Sequence, residues 1–161
     1  MTGAAPESSR RIELHFGATR EGFAAAFDEL RRALDALSLQ GWPRFSVELV
    51  FEEVVANVVR HGARPDRGTS ISLEVVLQDD AVRLTFLDDG RAFDPRQRPN
   101  PAPPLDLEHA EVGGRGVMLI RSVCKGLEYA RTPEGQNRLT VTVSRDATGG
   151  AGMSDGARSG A

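Results

Sequence analysis

Apolar and polar residues alternate over residues 11–16, with Ile12, Leu14 and Phe16 on one side and Arg11, Glu13 and His15 on the other. A period of two predicts a half-buried strand. The period then lengthens. Phe23, Ala26, Phe27, Leu30, Leu34 and Leu37 recur at helical spacing and predict an amphipathic helix over residues 20–37, with Thr19 as its N-cap. Gly41, Trp42 and Pro43 read as a chain break, and Ser46 as the cap of a second helix that runs to about His61 and stops at Gly62. Residues 71–77 and 82–87 read as strands joined in a hairpin through Gln78, Asp79 and Asp80. Residues 88–114 read mostly as loop, with Pro95, Pro99, Pro101, Pro103 and Pro104 inside it. A connection that long within a compact domain is usually functional or disordered. Gly114, Arg115 and Gly116 open a third helix, from Val117 to about Cys124, and residues 127–130 and 139–143 form a closing strand pair around Glu134, Gly135 and Gln136. The order β-α-α-β-β-loop-α-β-β predicts an α+β fold: a mixed, mostly antiparallel sheet with helices on one face.

Composition narrows the class. The 161 residues suit one domain with tails: residues 11–145 as the folded part, residues 1–10 and the Gly-, Ala- and Ser-rich residues 146–161 as flexible ends. With 20 Lys and Arg against 23 Asp and Glu, the net charge of −3 lacks the basic excess that general nucleic-acid binding requires. A single cysteine, Cys124, excludes an internal disulfide and a cysteine-rich zinc site. No apolar run approaches the ~18 residues of a membrane span, and residues 1–10 do not resemble a signal peptide. The expectation is a soluble, cytoplasmic protein with no direct nucleic-acid or membrane partner.

Three places could carry chemistry. On the second helix, Val47, Val50, Phe51, Val54, Val55 and Val58 make an apolar arc, and Glu53, Asn57 and His61 form a stripe along its edge. Taken alone, such a Glu and Asn are more often a solvated helix border. Glu48 and Glu52, on the far border, read as surface charges. A Val-rich helix has poor intrinsic propensity, so packing must hold it and with it its polar edge. Second, Asp88-Asp89-Gly90 follows a strand. This is either a turn or a buried carboxylate that accepts from a ligand amine, with Gly90 allowing close backbone approach. Third, a glycine-rich turn feeding a helix offers free backbone N–H groups suited to phosphate. The P-loop pattern is absent, and no dinucleotide fingerprint follows a first strand.

In this order the three resemble the GHKL (Bergerat) ATP-binding fold of gyrase, histidine kinases and the MutL repair protein, a two-layer α/β sandwich. EEVVANVVRHG, LDDGRAFDP, GGRGVMLIRSV and GQNRLTVTV are similar to the anti-sigma factor serine/threonine kinases, the switch-protein kinases of partner-switching systems. The resemblance implies Glu53 as general base and Asn57 as protein ligand to Mg²⁺. It implies Asp88 as acceptor for the adenine amine with Gly90 beside it, Gly114, Arg115 and Gly116 against the ATP phosphates, and residues 91–113 as the lid. Asp89 is the variable position, and Ala92 stands where the wider superfamily has glycine. His61 reads either as a phosphate neighbour or as a hydrogen-bonded structural residue. The implied substrate is a serine on a STAS-domain anti-anti-sigma protein, the implied second partner is a sigma factor, and relatives are commonly homodimers. The alternatives are a nucleotide-dependent adaptor with little kinase activity, acting on another target, and a scaffold that binds no nucleotide.

Overall fold

The computed structural model describes residues 10–97 and 115–146. The first strand, β1 (Arg11–Gly17), leads to helix α1 (Arg20–Ala36), and Thr19 caps that helix by accepting a hydrogen bond from the Gly22 N–H at 3.0 Å. The helix closes through two bonds, Ser38 N–H to the Asp35 carbonyl and Leu39 N–H to the Leu34 carbonyl. Ser38 takes the left-handed conformation (φ 55°) that this closure needs.

Helix α2 spans Gly41–Asn57, so the Gly-Trp-Pro break expected at residues 41–43 is instead its first turn. The physical reason is positional: the first turn has backbone N–H groups without helical partners, so proline's missing donor costs nothing there. Ser46 is correspondingly not the cap. It lies inside the helix, buried, and its hydroxyl has no hydrogen-bond partner among the described residues. The helix then widens into one π turn, Val58–Gly62.

Strands β2 (Ser70–Leu77) and β3 (Ala81–Asp88) form the expected hairpin. A short 3₁₀ turn covers Pro95–Gln97, helix α3 spans Arg115–Val123, and β4 (Cys124–Arg131) and β5 (Asn137–Ser144) complete the sheet. The order β1-β2-β3-β5-β4 is antiparallel at every pairing. The fold is therefore α+β, with a wholly antiparallel sheet where a mixed one remained open. Residues 1–9, 98–114 and 147–161, which carry the expected tails, Gly114 and most of the expected lid, lie outside the described residues.

The core fills the space between helices and sheet. Leu14, Leu73, Leu84 and Val141 come from four adjacent strands and share its buried face with Val75 and Phe86. Phe51 of α2 is fully buried, its ring 5.5–5.8 Å from Phe16, Phe23 and Phe27. This aromatic contact with β1 and α1 fixes the rotation of a helix whose own sequence would not hold it. Glu53 and Asn57 are left half-buried at the helix edge.

Candidate functional site

Strand phase decides which carboxylate faces inward. Val82, Leu84 and Phe86 point to the core, and two residues on, so does Asp88, only 6% exposed. Asp89 turns the other way, where its carboxylate accepts from the Ser70 N–H at 2.8 Å. Asp88 lines a cavity that opens toward α2 and α3, with Val54, Asn57, Phe93, Ile120 and Asn137 among its walls. Its Oδ1 accepts from the Gly90 N–H at 3.0 Å and from Asn137 Nδ2 at 2.8 Å. Its Oδ2 has no protein partner among the described residues. Burial pushes the Asp88 carboxyl above the ordinary aspartate range, while the bonds from Asn137 and Gly90 and the charge of Arg131 pull it back.

Gly90 is required by a close approach. A Cβ there would lie 2.5 Å from the Gly62 carbonyl oxygen and 2.8 Å from Asp88 Oδ1. The approach is to the chain's own π turn, and the Arg91 N–H bonds to the same Gly62 carbonyl at 2.9 Å. Gly62 and Gly90 thereby bring the end of α2 against the end of β3. Arg64 strengthens this junction by donating to the Asp89 carbonyl at 3.1 Å.

At the other end, α3 packs on α2. Gly116 sits so close that a Cβ would collide with the Glu53 carboxylate and lie 3.7 Å from Asn57 Nδ2. Glu53, Asn57 and Gly116 are thus one cluster, although 63 residues of sequence separate the first from the last. Neither Glu53 nor Asn57 makes a side-chain hydrogen bond among the described residues. Arg115 is exposed at the start of α3, and Gly114 lies outside the described residues. Among the described residues no three His, Cys, Asp or Glu cluster as a metal cage. Asn57 nevertheless suits Mg²⁺, which keeps waters, takes further oxygens from phosphates and needs few protein ligands. Its amide oxygen has no hydrogen-bond partner among the described residues.

His61 departs from the stripe predicted for it. The π turn shifts its phase, leaving it exposed, without a side-chain hydrogen bond among the described residues, and stacked on Phe93 with centroids 5.7 Å apart. A hydrogen-bonded structural role does not describe that position.

Asn137, Tyr129 and Arg131 carry a part of the site to which the sequence analysis gave no role, although Asn137 stands within GQNRLTVTV. Asn137 faces Asp88 across the β3–β5 ladder and is 4% exposed. Its Oδ1 accepts from Tyr129 Oη at 2.7 Å, from Arg131 at 2.8 Å and from the Phe93 N–H at 3.4 Å. The signal was present in β5: Asn137 has the same phase as Leu139, Val141 and Val143, which predicts a polar side chain on the buried face.

The arrangement is that of a nucleotide-binding ATPase domain, and the comparisons agree. Residues 16–143 match the family described as histidine kinase-like ATPase domain. The chain belongs to that family. It is 34% identical over 99 residues to the serine/threonine-protein kinase BtrW of Bordetella bronchiseptica, covering 62% of this chain and 69% of BtrW. It also shares its fold, at a TM-score of 0.55 and 18% identity, with the structure of the RsbU and RsbW domains of Rv1364c from Mycobacterium tuberculosis. That match covers 85% of this chain and 33% of the other, so the chain spans about a third of that protein's length. No helix among the described residues is long and apolar enough to cross a membrane.

Proposed function

We propose that this protein is an ATP-dependent protein serine kinase that also acts as an anti-sigma factor in a partner-switching system. The observation that carries the reading is the convergence of Glu53 and Asn57 on Gly116 at one end of the region whose other end is Asp88. A family that is an ATPase domain, and a relative named as a serine/threonine kinase, point the same way.

In this reading Asp88 Oδ2 accepts from the exocyclic amine of adenine. Gly114, Arg115 and Gly116 meet the phosphates, and Asn57 Oδ1 holds Mg²⁺. When bound, the metal neutralises charge on the phosphate oxygens. Glu53 takes the proton of the incoming serine hydroxyl. The serine oxygen bonds to the γ-phosphorus as the bond from that phosphorus to the bridging oxygen breaks, and ADP leaves. The substrate serine belongs to a STAS-domain anti-anti-sigma protein. Its phosphate adds roughly −1.5 to −2 charges at neutral pH and disrupts docking, which frees the kinase to hold a sigma factor.

The test is incubation with γ-labelled ATP, Mg²⁺ and a candidate STAS-domain protein. Label on a partner serine is the expected result. A stable nucleotide-dependent complex without label transfer would replace the kinase by the adaptor reading.

A further inference from the structure

Helix α2 carries large apolar residues on two opposite sides. Val47, Val50, Phe51, Val54 and Val55 are buried in the core. Trp42, Phe45, Leu49 and Ala56 recur at helical spacing on the other side and are not buried. A helix that turns apolar side chains both ways is normally covered on both. Helix α1 shows the usual alternative, with Asp28, Glu29, Arg31, Arg32 and Asp35 exposed on its outer side. On α2, Phe45 is 51% exposed, the most exposed large apolar side chain among the described residues. Trp42 packs on it, with ring centroids 5.3 Å apart.

Charge indicates what the missing cover carries. Asp35 pairs with Arg44, Arg44 pairs with Glu48 at 2.9 Å, and Arg31 reaches the same Glu48 at 3.7 Å. Signs alternate along this seam, and its pairings show that α1 and α2 run antiparallel. One turn further, each helix carries an acid, Asp28 and Glu52. Neither has a salt-bridge partner among the described residues. Glu52 belongs to the apolar stripe, between Leu49 and Ala56. Its carboxyl is pushed above the ordinary glutamate range, first by partial desolvation and then by repulsion from Glu53 and Glu48. The chain supplies a base at every earlier step of the seam and none here.

We propose that this side of α2 docks an amphipathic helix of another protein, whose apolar residues cover Trp42, Phe45 and Leu49 and whose Lys or Arg pairs with Glu52. A second copy of this chain fits poorly. Two such faces laid together would bring two unpaired Glu52 carboxylates to one seam with no base between them, and like charges at an interface are costly. The inference stands apart from the kinase reading, which uses Glu53 and Asn57 on the side of α2 that meets Gly116.

Trp42 is the chain's one tryptophan, so its fluorescence reads this face directly. The full chain is titrated with a stapled, monomeric amphipathic helix that carries one Arg in the middle of a leucine stripe. A second titration uses the same helix with Glu in that place. The Arg helix should shift Trp42 emission to the blue and bind roughly tenfold or more tightly than the Glu helix. Glu52→Arg should reverse that order. Phe45→Ser, at an exposed position, should weaken the Arg helix by roughly tenfold or more. No emission shift with the unmodified protein would overturn the proposal, and so would an unreversed order in Glu52→Arg. Sedimentation tests the other occupant: a dimer of the unmodified chain that Phe45→Ser dissociates would assign the face to a second copy and overturn the proposal equally.

Discussion

At the β3–β5 end of the cavity, Asp88 meets two protein donors, and Asn137 behind it bonds to Asp88, Arg91, Phe93, Tyr129 and Arg131. At the α2–α3 end, Glu53 and Asn57 bond to nothing among the described residues and are confined mainly by the bare backbone of Gly116. Buried polar groups are costly unless paired, so the Asp88 end is wired to the protein. The half-exposed α2 edge can leave its polar groups to water, and so to a ligand. Under the proposed function this difference is a division of labour: the wired end selects, while the open end reacts.

The largest expected effect lies at the open end. Glu53→Gln keeps the shape and removes the base, so serine phosphorylation should fall by about 10²–10⁴-fold. ADP affinity, measured alongside by calorimetry, should stay within about threefold, because the interaction lost belongs to the transition state. Equal losses in rate and affinity would erase the proposed division.

Asp88→Asn strikes the wired end. ATP should bind roughly 10–100-fold more weakly, since an amide nitrogen replaces one acceptor oxygen. Stability should move the other way. Burial raises the Asp88 pKa in the fold. Such an acid binds its proton more readily when folded, and the fold therefore loses stability as pH rises from the ordinary aspartate range through the raised value. Asn does not titrate. The Tm of Asp88→Asn relative to the unmodified protein should therefore increase between about pH 4 and pH 7, as thermal melts across that range would reveal. A difference that shrank with pH would contradict the burial account.

The smallest effect belongs between the two ends. His61 is exposed and touches Phe93 by its ring face, so His61→Ala should change ATP affinity and Tm little, by about twofold and within roughly 0.5 kcal/mol. A tenfold loss of affinity would return His61 to the phosphate site.

The same contrast explains what was legible in the sequence. Strands and helices followed from period, because a half-buried strand or helix must repeat its apolar residues with the geometry of its backbone. The shared helix edge of Glu53 and Asn57 followed from helical period, and the burial of Asp88 was one of the two readings open for the text after the strand. The start of α2 was misread, since Gly and Pro mark helix beginnings as well as breaks, and only the packing of Pro43 and Ser46 distinguishes the two. His61 was misplaced because a π turn has no strong sequence mark. The burial of Asn137 was written in the phase of β5, but its partners on β3 and β4 are brought together only by sheet register.

The central claim is that Asp88 and Asn57 serve opposite ends of one nucleotide. The direct measurement is ATP affinity with and without Mg²⁺ for the unmodified protein, Asp88→Asn and Asn57→Ala. The account predicts that Asp88→Asn weakens binding by the same factor in both conditions, whereas Asn57→Ala removes the gain that Mg²⁺ gives. Full retention of that gain in Asn57→Ala, or its loss in Asp88→Asn, would contradict the account.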